Sequence, residues 1–173
     1  IEFVLDVLRR AGVEHLLVVV GYRSDLVRQT LGRHPDVEFV EQTEQLGTGH
    51  AVKMCRAQLM QHTGPVLIVT GDSPLLQVAS VQALFREYET DRPACVLGTL
   101  HKDDPSGLGR IVRDAAGQFA AIVEEKDASS DQRTITEVNM STYIFEAGKL
   151  VRALDAIQNA NRRGEYYVTD CPG

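Results

Sequence analysis

Three continuous apolar runs constrain the fold of this chain more than any other feature. They are HLLVVVGY at 15–22, PVLIVTGD at 65–72 and ACVLGTL at 94–100. An uninterrupted apolar run of this length is typical of a strand that is buried on both faces. Between the runs lie segments with helical spacing at 24–32, 49–61 and 77–89, and a short strand-like segment at 37–42. Alternating strands and helices predict an α/β fold, a Rossmann-like and mostly parallel sheet with helices on both faces.

The flanking regions follow other patterns. Residues 1–13 place apolar side chains on one helical face, and Gly12 is a natural stop for that helix. Ser24 is the expected N-cap of the next helix. The second half of the chain is strand-like, and a helix follows; the strands are 107–114, 118–127 and 135–147, and the helix is 148–158. We therefore expect an α/β part over 1–100 and a smaller β-rich part over 101–173.

Composition excludes several classes of protein. The net charge of −6 argues against a nucleic-acid partner, which normally meets a basic face. No apolar run approaches the roughly 20 residues that a membrane span needs. The three cysteines, without CxxC spacing, predict neither a disulfide framework nor a zinc site, and we expect buried or half-buried thiols in a reducing cytoplasm.

Polar and glycine-rich segments follow three of the predicted strands. They are VGY, EQTEQLGTG and VTGDSP. Ligands of open α/β sheets bind beyond the carboxyl ends of the strands, so these segments are expected to converge on one site. Asp72 would place a carboxylate there, suited to Mg²⁺, although Asp-Ser-Pro is also good turn chemistry.

The stretch EQLGTGHA at 44–51 leaves three interpretations open: a phosphate-binding loop, a base-reading loop, or a turn into a helix. Gly47 and Gly49 allow close backbone approach, but the spacing matches neither of the common phosphate-loop patterns. His50 is a candidate general base, although a lone helical histidine is more often structural. Gly109 before a strand predicts another close approach, and Glu124 at a strand end is suited to sugar hydroxyls.

Several motifs together resemble the sugar-nucleotide pyrophosphorylases, most closely the uridylyltransferase domains of the bifunctional N-acetylglucosamine-1-phosphate uridylyltransferases. The motifs, in the order of that family and over nearly the whole chain, are EQTEQLGTGHAV, GDSPLL, DDPSGLGRIVRD, IVEEKDAS, EVNMSTYIF and GEYYVTD. The resemblance implies the nucleotide-diphospho-sugar transferase fold, with a nucleotide-binding part over 1–100 and a sugar-binding part over 101–173. It also implies transfer of UMP from UTP to N-acetylglucosamine-1-phosphate.

The same resemblance implies roles for individual residues. The nucleotide-binding residues would be Gln42, Gln45, Gly47 and Thr48. The sugar-binding residues would be Gly71, Gly109, Glu124, Asn139, Tyr167 and Thr169. Asp72 would hold Mg²⁺. Three departures bear on the identity of the sugar: Thr70 and Leu108 stand where the family usually has tyrosine, and Met140-Ser141 replaces a Thr-Gly pair.

The resemblance also implies what these 173 residues do not include. The family's glycine-rich first loop with its catalytic arginine and lysine, a second magnesium ligand and an acetyltransferase domain have no counterpart here, so no catalytic residue is assigned. We expect the 173 residues alone to be essentially inactive in pyrophosphate release, to expose a central sheet edge, and to form any homo-oligomer through regions outside them. A pyrophosphorylase for another sugar and a non-catalytic sugar-nucleotide sensor are the alternatives.

Overall fold

The computed structural model describes residues 1–173 and contains seven strands and seven helices. The strands are β1 (Leu16–Val20), β2 (Val37–Glu41), β3 (Pro65–Val69), β4 (Cys95–His101), β5 (Arg110–Arg113), β6 (Phe119–Val123) and β7 (Glu137–Glu146). The helices are α1 (Glu2–Arg10), α2 (Ser24–Leu31), α3 (Thr48–Lys53), α4 (Arg56–Gln61), α5 (Val78–Asp91), α6 (Ser130–Arg133) and α7 (Ala147–Ala156). A 3-10 turn spans Val168–Asp170. The α/β class predicted from the apolar runs is confirmed.

Helix α1 ends as the sequence predicts. Gly12 adopts a left-handed φ of +97°, which glycine tolerates best. Its N–H donates to the carbonyl of Arg9 at 3.0 Å, and the N–H of Val13 donates to the carbonyl of Leu8 at 3.0 Å. These two bonds satisfy carbonyls that the last helical turn would otherwise leave without partners.

Two local predictions were wrong. Ser24 is the first residue of α2 rather than its N-cap; the cap is Arg23, in a left-handed conformation at φ +55°. The helix predicted over 49–61 is two helices, because the chain turns at Met54–Cys55 before α4 begins. That turn buries Cys55 and Leu59 together in the core, where one straight helix was expected.

The strands form two hydrogen-bonded sheets. Strands β1 and β2 pair in parallel, with Leu16 opposite Val37. The other five strands form a sheet around β7, which runs antiparallel to β3, β4 and β5. Strands β3 and β4 therefore run in the same direction but are separated by β7. The parallel sheet expected from the sequence thus contains an inserted antiparallel strand, whose pairing partners the local pattern did not reveal.

Strand β7 carries helices on both of its faces, as predicted. Tyr143 and Phe145 point into the larger core cluster, which includes Leu150 and Leu154 of α7. Ile144 points the other way and packs with Tyr88 of α5. This alternation follows from the two-residue period of side chains along a strand.

One edge of β7 is shared by two strands. Strand β4 occupies its other edge from Glu137 to Phe145, so β3 and β5 follow one another along the remaining edge. Strand β3 ends where Val69 faces Thr142, and β5 begins where Arg110 faces Val138. The carboxyl end of β3 therefore lies beside residues 139–141.

The two sheets meet through side chains rather than backbone pairing. Strand β1 pairs only with β2, and β3 pairs only with β7. Side chains of α1 and β1 form one cluster, against which Leu67 and Val69 of β3 pack. Each of the two facing strands thus has an unpaired edge, which corresponds to the open central edge expected from the sequence.

None of the helices combines the length and the apolarity that crossing a membrane requires. The three cysteines are free; Cys55 and Cys171 are buried and Cys95 is half-buried, as predicted for core thiols. Burial raises the pKa of Cys55 to about 11 and of Cys95 and Cys171 to about 12.

Candidate functional site

The loop after β2 is closed by its own side chains. The N–H of Gln42 donates to the carbonyl of Val20 at 2.7 Å, which ties the loop to the end of β1. The Gln42 side chain donates to the carbonyl of Gly47 at 3.1 Å and lies 3.0 Å from Nδ1 of His50. Gln45 donates from its side chain to the Gln42 carbonyl at 3.0 Å. These hydrogen bonds within the chain therefore give the loop a defined shape.

The glycines of this loop accommodate another segment of the same chain. A Cβ on Gly47, which has φ +107°, would lie 2.5 Å from the carbonyl oxygen of Tyr166. A Cβ on Gly49 would lie 2.6 Å from Ile157 and 2.9 Å from the carbonyl carbon of Tyr167. All three distances are too short for a side chain. The close approach predicted from the glycines is therefore an approach to segment 165–167.

Three hydrogen bonds hold the loop to that segment. Tyr166 donates its N–H to the carbonyl of Leu46 and accepts from the N–H of Gly49, both at 2.8 Å. The hydroxyl oxygen of Thr48 accepts from the N–H of Val168 at 3.1 Å. EQLGTGHA and GEYYVTD, which are 120 residues apart at this last contact, thus form one structural unit.

A cleft of about 450 Å³ opens beside this unit. The residues that line it include all four predicted nucleotide-binding residues and two of the predicted sugar-binding residues: Gln42, Gln45, Gly47, Thr48, Glu124 and Tyr167. Lys126 and Arg163 also line it and supply positive charge in an otherwise acidic protein. Glu124, Glu125 and Glu165 line the cleft as well, so its lining is polar and mixed in charge.

A second cleft, of about 530 Å³, adjoins the first. Both are lined by Glu124 and Tyr167, and the second adds Thr169. Apolar side chains, among them Ile122 and Ile157, line part of its wall. The structure thus brings the predicted nucleotide residues and three of the six predicted sugar residues to neighbouring clefts that share two side chains.

Glu124 is a carboxylate with a raised pKa that lines both clefts. Burial raises its pKa above the usual range, and the nearby Asp127 and Asp170 act in the same direction. The hydroxyl of Thr169, which donates to Oε1 of Glu124 at 3.1 Å, opposes the shift. A half-buried carboxylate with one hydroxyl partner has lone pairs left to accept further hydroxyl donors.

Gly109 and Asn139 lie beside Glu124. A Cβ on Gly109 would lie 3.2 Å from Ile122, 3.6 Å from Cβ of Asn139 and 3.7 Å from Oε2 of Glu124, which confirms the predicted close approach at this glycine. Asn139 is buried, and its amide nitrogen donates to the hydroxyl of Tyr143 at 2.6 Å. Its oxygen accepts from the N–H of Ser141 at 3.1 Å.

Ser141 has a left-handed φ of +51°. This conformation favours glycine, which is the residue that the resemblance leads one to expect at this position.

Gly71 and Asp72 lie apart from both clefts, in the exposed turn that follows β3. Gly71 faces Ile1, whose Cδ1 lies 3.3 Å from the position a Cβ would take. No group of three or more His, Cys, Asp or Glu side chains is gathered anywhere in the chain in a way that would hold a metal ion. Asp72 can therefore offer a single carboxylate at the end of a strand, and no protein-only metal site surrounds it.

The sequence did not reveal the importance of two polar groups near the clefts. Arg110 is 2% exposed and pairs with Glu125 at 2.6 Å. It also donates to the carbonyl of Leu108, in the segment that carries Gly109. His50, judged structural from the sequence, contacts Gln42 directly. For Arg110, the available signal in the sequence was an arginine directly after Gly109, the glycine predicted to allow a close approach.

The sequence of the chain is similar to that of known nucleotidyltransferases. The model of the MobA-like NTP transferase domain matches residues 1–141. Among curated proteins, the bifunctional protein GlmU of Heliobacterium modesticaldum is 47% identical over 167 residues, covering 96% of this chain and 36% of that protein. The GlmU of Nitrosomonas europaea is 43% identical over 171 residues, covering 98% and 37%. The chain thus spans little more than a third of the length of these relatives.

Solved structures extend the likeness to the fold. A UDP-glucose pyrophosphorylase complexed with UDP-glucose superposes with a TM-score of 0.73 at 14% identity, covering 99% of this chain and 72% of that one. HddC from Yersinia pseudotuberculosis gives a TM-score of 0.64 at 18% identity, covering 95% and 67%. The fold is that of the nucleotide-diphospho-sugar transferases, and the chain belongs to the family of MobA-like NTP transferase domains.

Proposed function

We propose that this chain is part of a uridylyltransferase that transfers UMP from UTP to N-acetylglucosamine-1-phosphate, giving UDP-N-acetylglucosamine and pyrophosphate. The observation that carries the proposal is the pair of neighbouring clefts that share Glu124 and Tyr167. One cleft is lined by the predicted base-reading loop and the other by three of the six predicted sugar residues, Glu124, Tyr167 and Thr169. A nucleotide joined to a sugar would span the two clefts. Relatives named GlmU at up to 47% identity support the same assignment.

In this proposal the loop 42–48 binds the nucleotide. Gln42 and Gln45 face the uracil, and Gly47 and Thr48 complete the pocket. Lys126 and Arg163, which line the same cleft, offset the charge of the phosphates. Since the loop is closed by its own hydrogen bonds, little ordering entropy would be lost when the base binds.

The sugar-binding residues act mainly as hydrogen-bond partners. Glu124 accepts from sugar hydroxyls, with Thr169 fixing its orientation. Gly109 leaves room for the ring, because a Cβ there would lie only 3.2 Å from Ile122 and would fill space beside Glu124 and Asn139. Asn139 keeps one amide hydrogen for the ligand, since Tyr143 takes the other. Tyr167 lines both clefts, whereas Gly71, at the end of β3, would reach the sugar only if the ligand extended beyond them.

Asp72 fits the role of a magnesium ligand. It is exposed, it follows a strand end beside residues 139–141, and it forms no ion pair within the chain. Mg²⁺ commonly takes one or two carboxylates and fills its other positions with phosphate oxygens and water, so a lone aspartate is sufficient. When bound, the ion would neutralise the charge of the phosphates at the reacting centre. The residues of this chain would position the two substrates for in-line attack.

Ligand binding tests the proposal directly. Calorimetry of the chain with UDP-N-acetylglucosamine, UDP-glucose and dTDP-glucose, each with Mg²⁺, should give the tightest binding with the first. Glu124→Ala should lose the preference among sugars while keeping affinity for UDP, and Asp72→Asn should lose the magnesium dependence alone. Absence of binding to any uridine nucleotide would overturn the assignment, and a preference for UDP-glucose would redirect it to another sugar. The free thiols support a reducing, cytoplasmic location as part of the same proposal.

A further inference from the structure

The Gln42 side chain is held in one orientation by two neighbours. Its amide nitrogen lies 3.1 Å from the carbonyl oxygen of Gly47 and 3.0 Å from Nδ1 of His50. A carbonyl oxygen can only accept, so the nitrogen of the Gln42 amide, rather than its oxygen, must face Gly47. The second hydrogen of the same nitrogen then points to His50. Both donors of the Gln42 amide are thus used within the chain.

His50 must accept that second hydrogen. In a neutral imidazole one nitrogen accepts while the other carries the proton, so an accepting Nδ1 places the proton of His50 on Nε2. Gln42 lines the nucleotide cleft, whereas His50 is not among the lining residues. The histidine therefore contacts Gln42 from behind the cleft and reaches a ligand only through that side chain.

We propose that His50 is a positioning residue for nucleobase specificity, and that it holds Gln42 so that Oε1 is the atom offered to the base. This inference rests on the function proposed above, in which Gln42 faces the base. Neither bond that orients Gln42 uses Oε1, so an acceptor is presented to the ligand. Uracil and thymine carry a hydrogen on N3, but N3 of cytosine is itself an acceptor. An amide held in this way, with Oε1 facing N3 of the base, selects against cytosine.

Without the bonds to Gly47 and His50, the Gln42 side chain would not discriminate between uracil and cytosine. An amide that is free to rotate by 180° about its last bond can offer either its oxygen or its nitrogen, and so can pair with uracil or with cytosine. Gly47 alone supplies one acceptor for two hydrogens. The bond to His50 therefore engages the second hydrogen and completes the orientation of the amide. The net contribution of one such hydrogen bond corresponds to about tenfold in affinity.

Binding of UDP and CDP to the full 173-residue chain tests the inference. The parent should bind UDP more tightly than CDP. His50→Ala should lower the ratio of the two dissociation constants by about tenfold, mainly by weakening UDP. His50→Asn, whose side-chain oxygen can accept from Gln42, should restore most of the ratio. His62→Ala removes an exposed histidine that contacts only the Pro65 carbonyl, and it should leave the ratio unchanged.

The outcomes distinguish failure of the proposed function from failure of the role assigned to His50. If the parent binds neither nucleotide, the proposed function fails and this inference fails with it. If the parent prefers UDP but His50→Ala weakens UDP and CDP equally, the histidine only supports the loop and the inference alone is overturned. Circular dichroism of each variant establishes that it is folded. Long-range ¹H–¹⁵N correlations of the His50 ring should show the proton on Nε2, and a proton on Nδ1 would contradict the proposed lock.

Discussion

Removing the carboxylate of Glu125 should destabilise the fold through the guanidinium that it leaves behind. Arg110 is buried at the start of β5, and its side chain is 2% exposed. Its Nη2 donates to Glu125 at 2.6 Å, its Nη1 donates to the carbonyl of Leu108, and its Nε has no partner. Glu125→Ala would leave a buried cation whose remaining acceptors are carbonyl oxygens.

The expected cost follows from how much of the pair is buried. Removing one partner of a buried ion pair typically costs about 3–5 kcal/mol. Because the Glu125 side chain is 30% exposed, water can partly replace it, and we expect the lower end, about 3 kcal/mol. Arg110→Met removes the charge itself, so adding Glu125→Ala to that variant should cost little more. The two losses should therefore be strongly non-additive.

Urea unfolding followed by circular dichroism at pH 7.5 measures these free energies. The matched control is Asp155→Ala, which breaks the ion pair between Arg56 and Asp155, whose side chains are 43% and 46% exposed. We expect that change to lie within the error of the measurement, because solvent screens an exposed pair. A loss for Glu125→Ala as small as the control, or additive losses in the double variant, would refute the assignment of a buried, interacting pair.

Two further predictions concern the other perturbed groups. Because folding raises the pKa of Glu124, its ionised form opposes folding; Glu124→Gln should therefore raise the free energy of unfolding at pH 7.5, and the gain should vanish below the ordinary carboxyl pKa, near pH 4. Urea titrations at both pH values check this, and an equal gain at both would contradict it. The three thiols, two buried and one half-buried, should react with a disulfide reagent at pH 8 at least about 100-fold more slowly in the native chain than in guanidinium, since their thiolate fraction is depressed. One rapidly labelled native thiol would refute this. These thiols are Cys55, Cys95 and Cys171.

The sequence predicted the elements of this fold better than their pairing. Apolar runs at 15–22 and 65–72 became β1 and β3, because burial on both faces is a property that a segment shows by itself. That β7 would insert between β3 and β4 depends on contacts far apart in the chain, which a local pattern does not contain. The break between α3 and α4 was missed for a related reason. No glycine or proline marks it in the sequence, and it accompanies core contacts of Cys55 and Leu59 that a local pattern does not contain.

The sequence predicted several of the side chains that line the two clefts but not the contacts between them. The motifs named Gln42, Thr48 and Glu124, and the structure brings all three to one cleft. The roles of His50 and Arg110 depend on which atoms they face. Spacing along the chain does not reveal these contacts. The partner of Arg110, for example, is Glu125, which lies 15 residues away, just after the end of β6.

The glycines of EQLGTGHA show how such connections change the interpretation of a motif. From the sequence, Gly47 and Gly49 are equally consistent with a backbone that approaches a ligand and one that approaches protein. The structure fills the space beside both glycines with residues 165–167. The conformational freedom of glycine therefore joins two parts of the site to each other. In the proposed function, recognition of the base then falls to side chains of the same loop. Because the hydroxyl of Thr48 already accepts from Val168, Gln42 is the side chain best placed to discriminate among bases, and the group that orients it becomes part of the specificity.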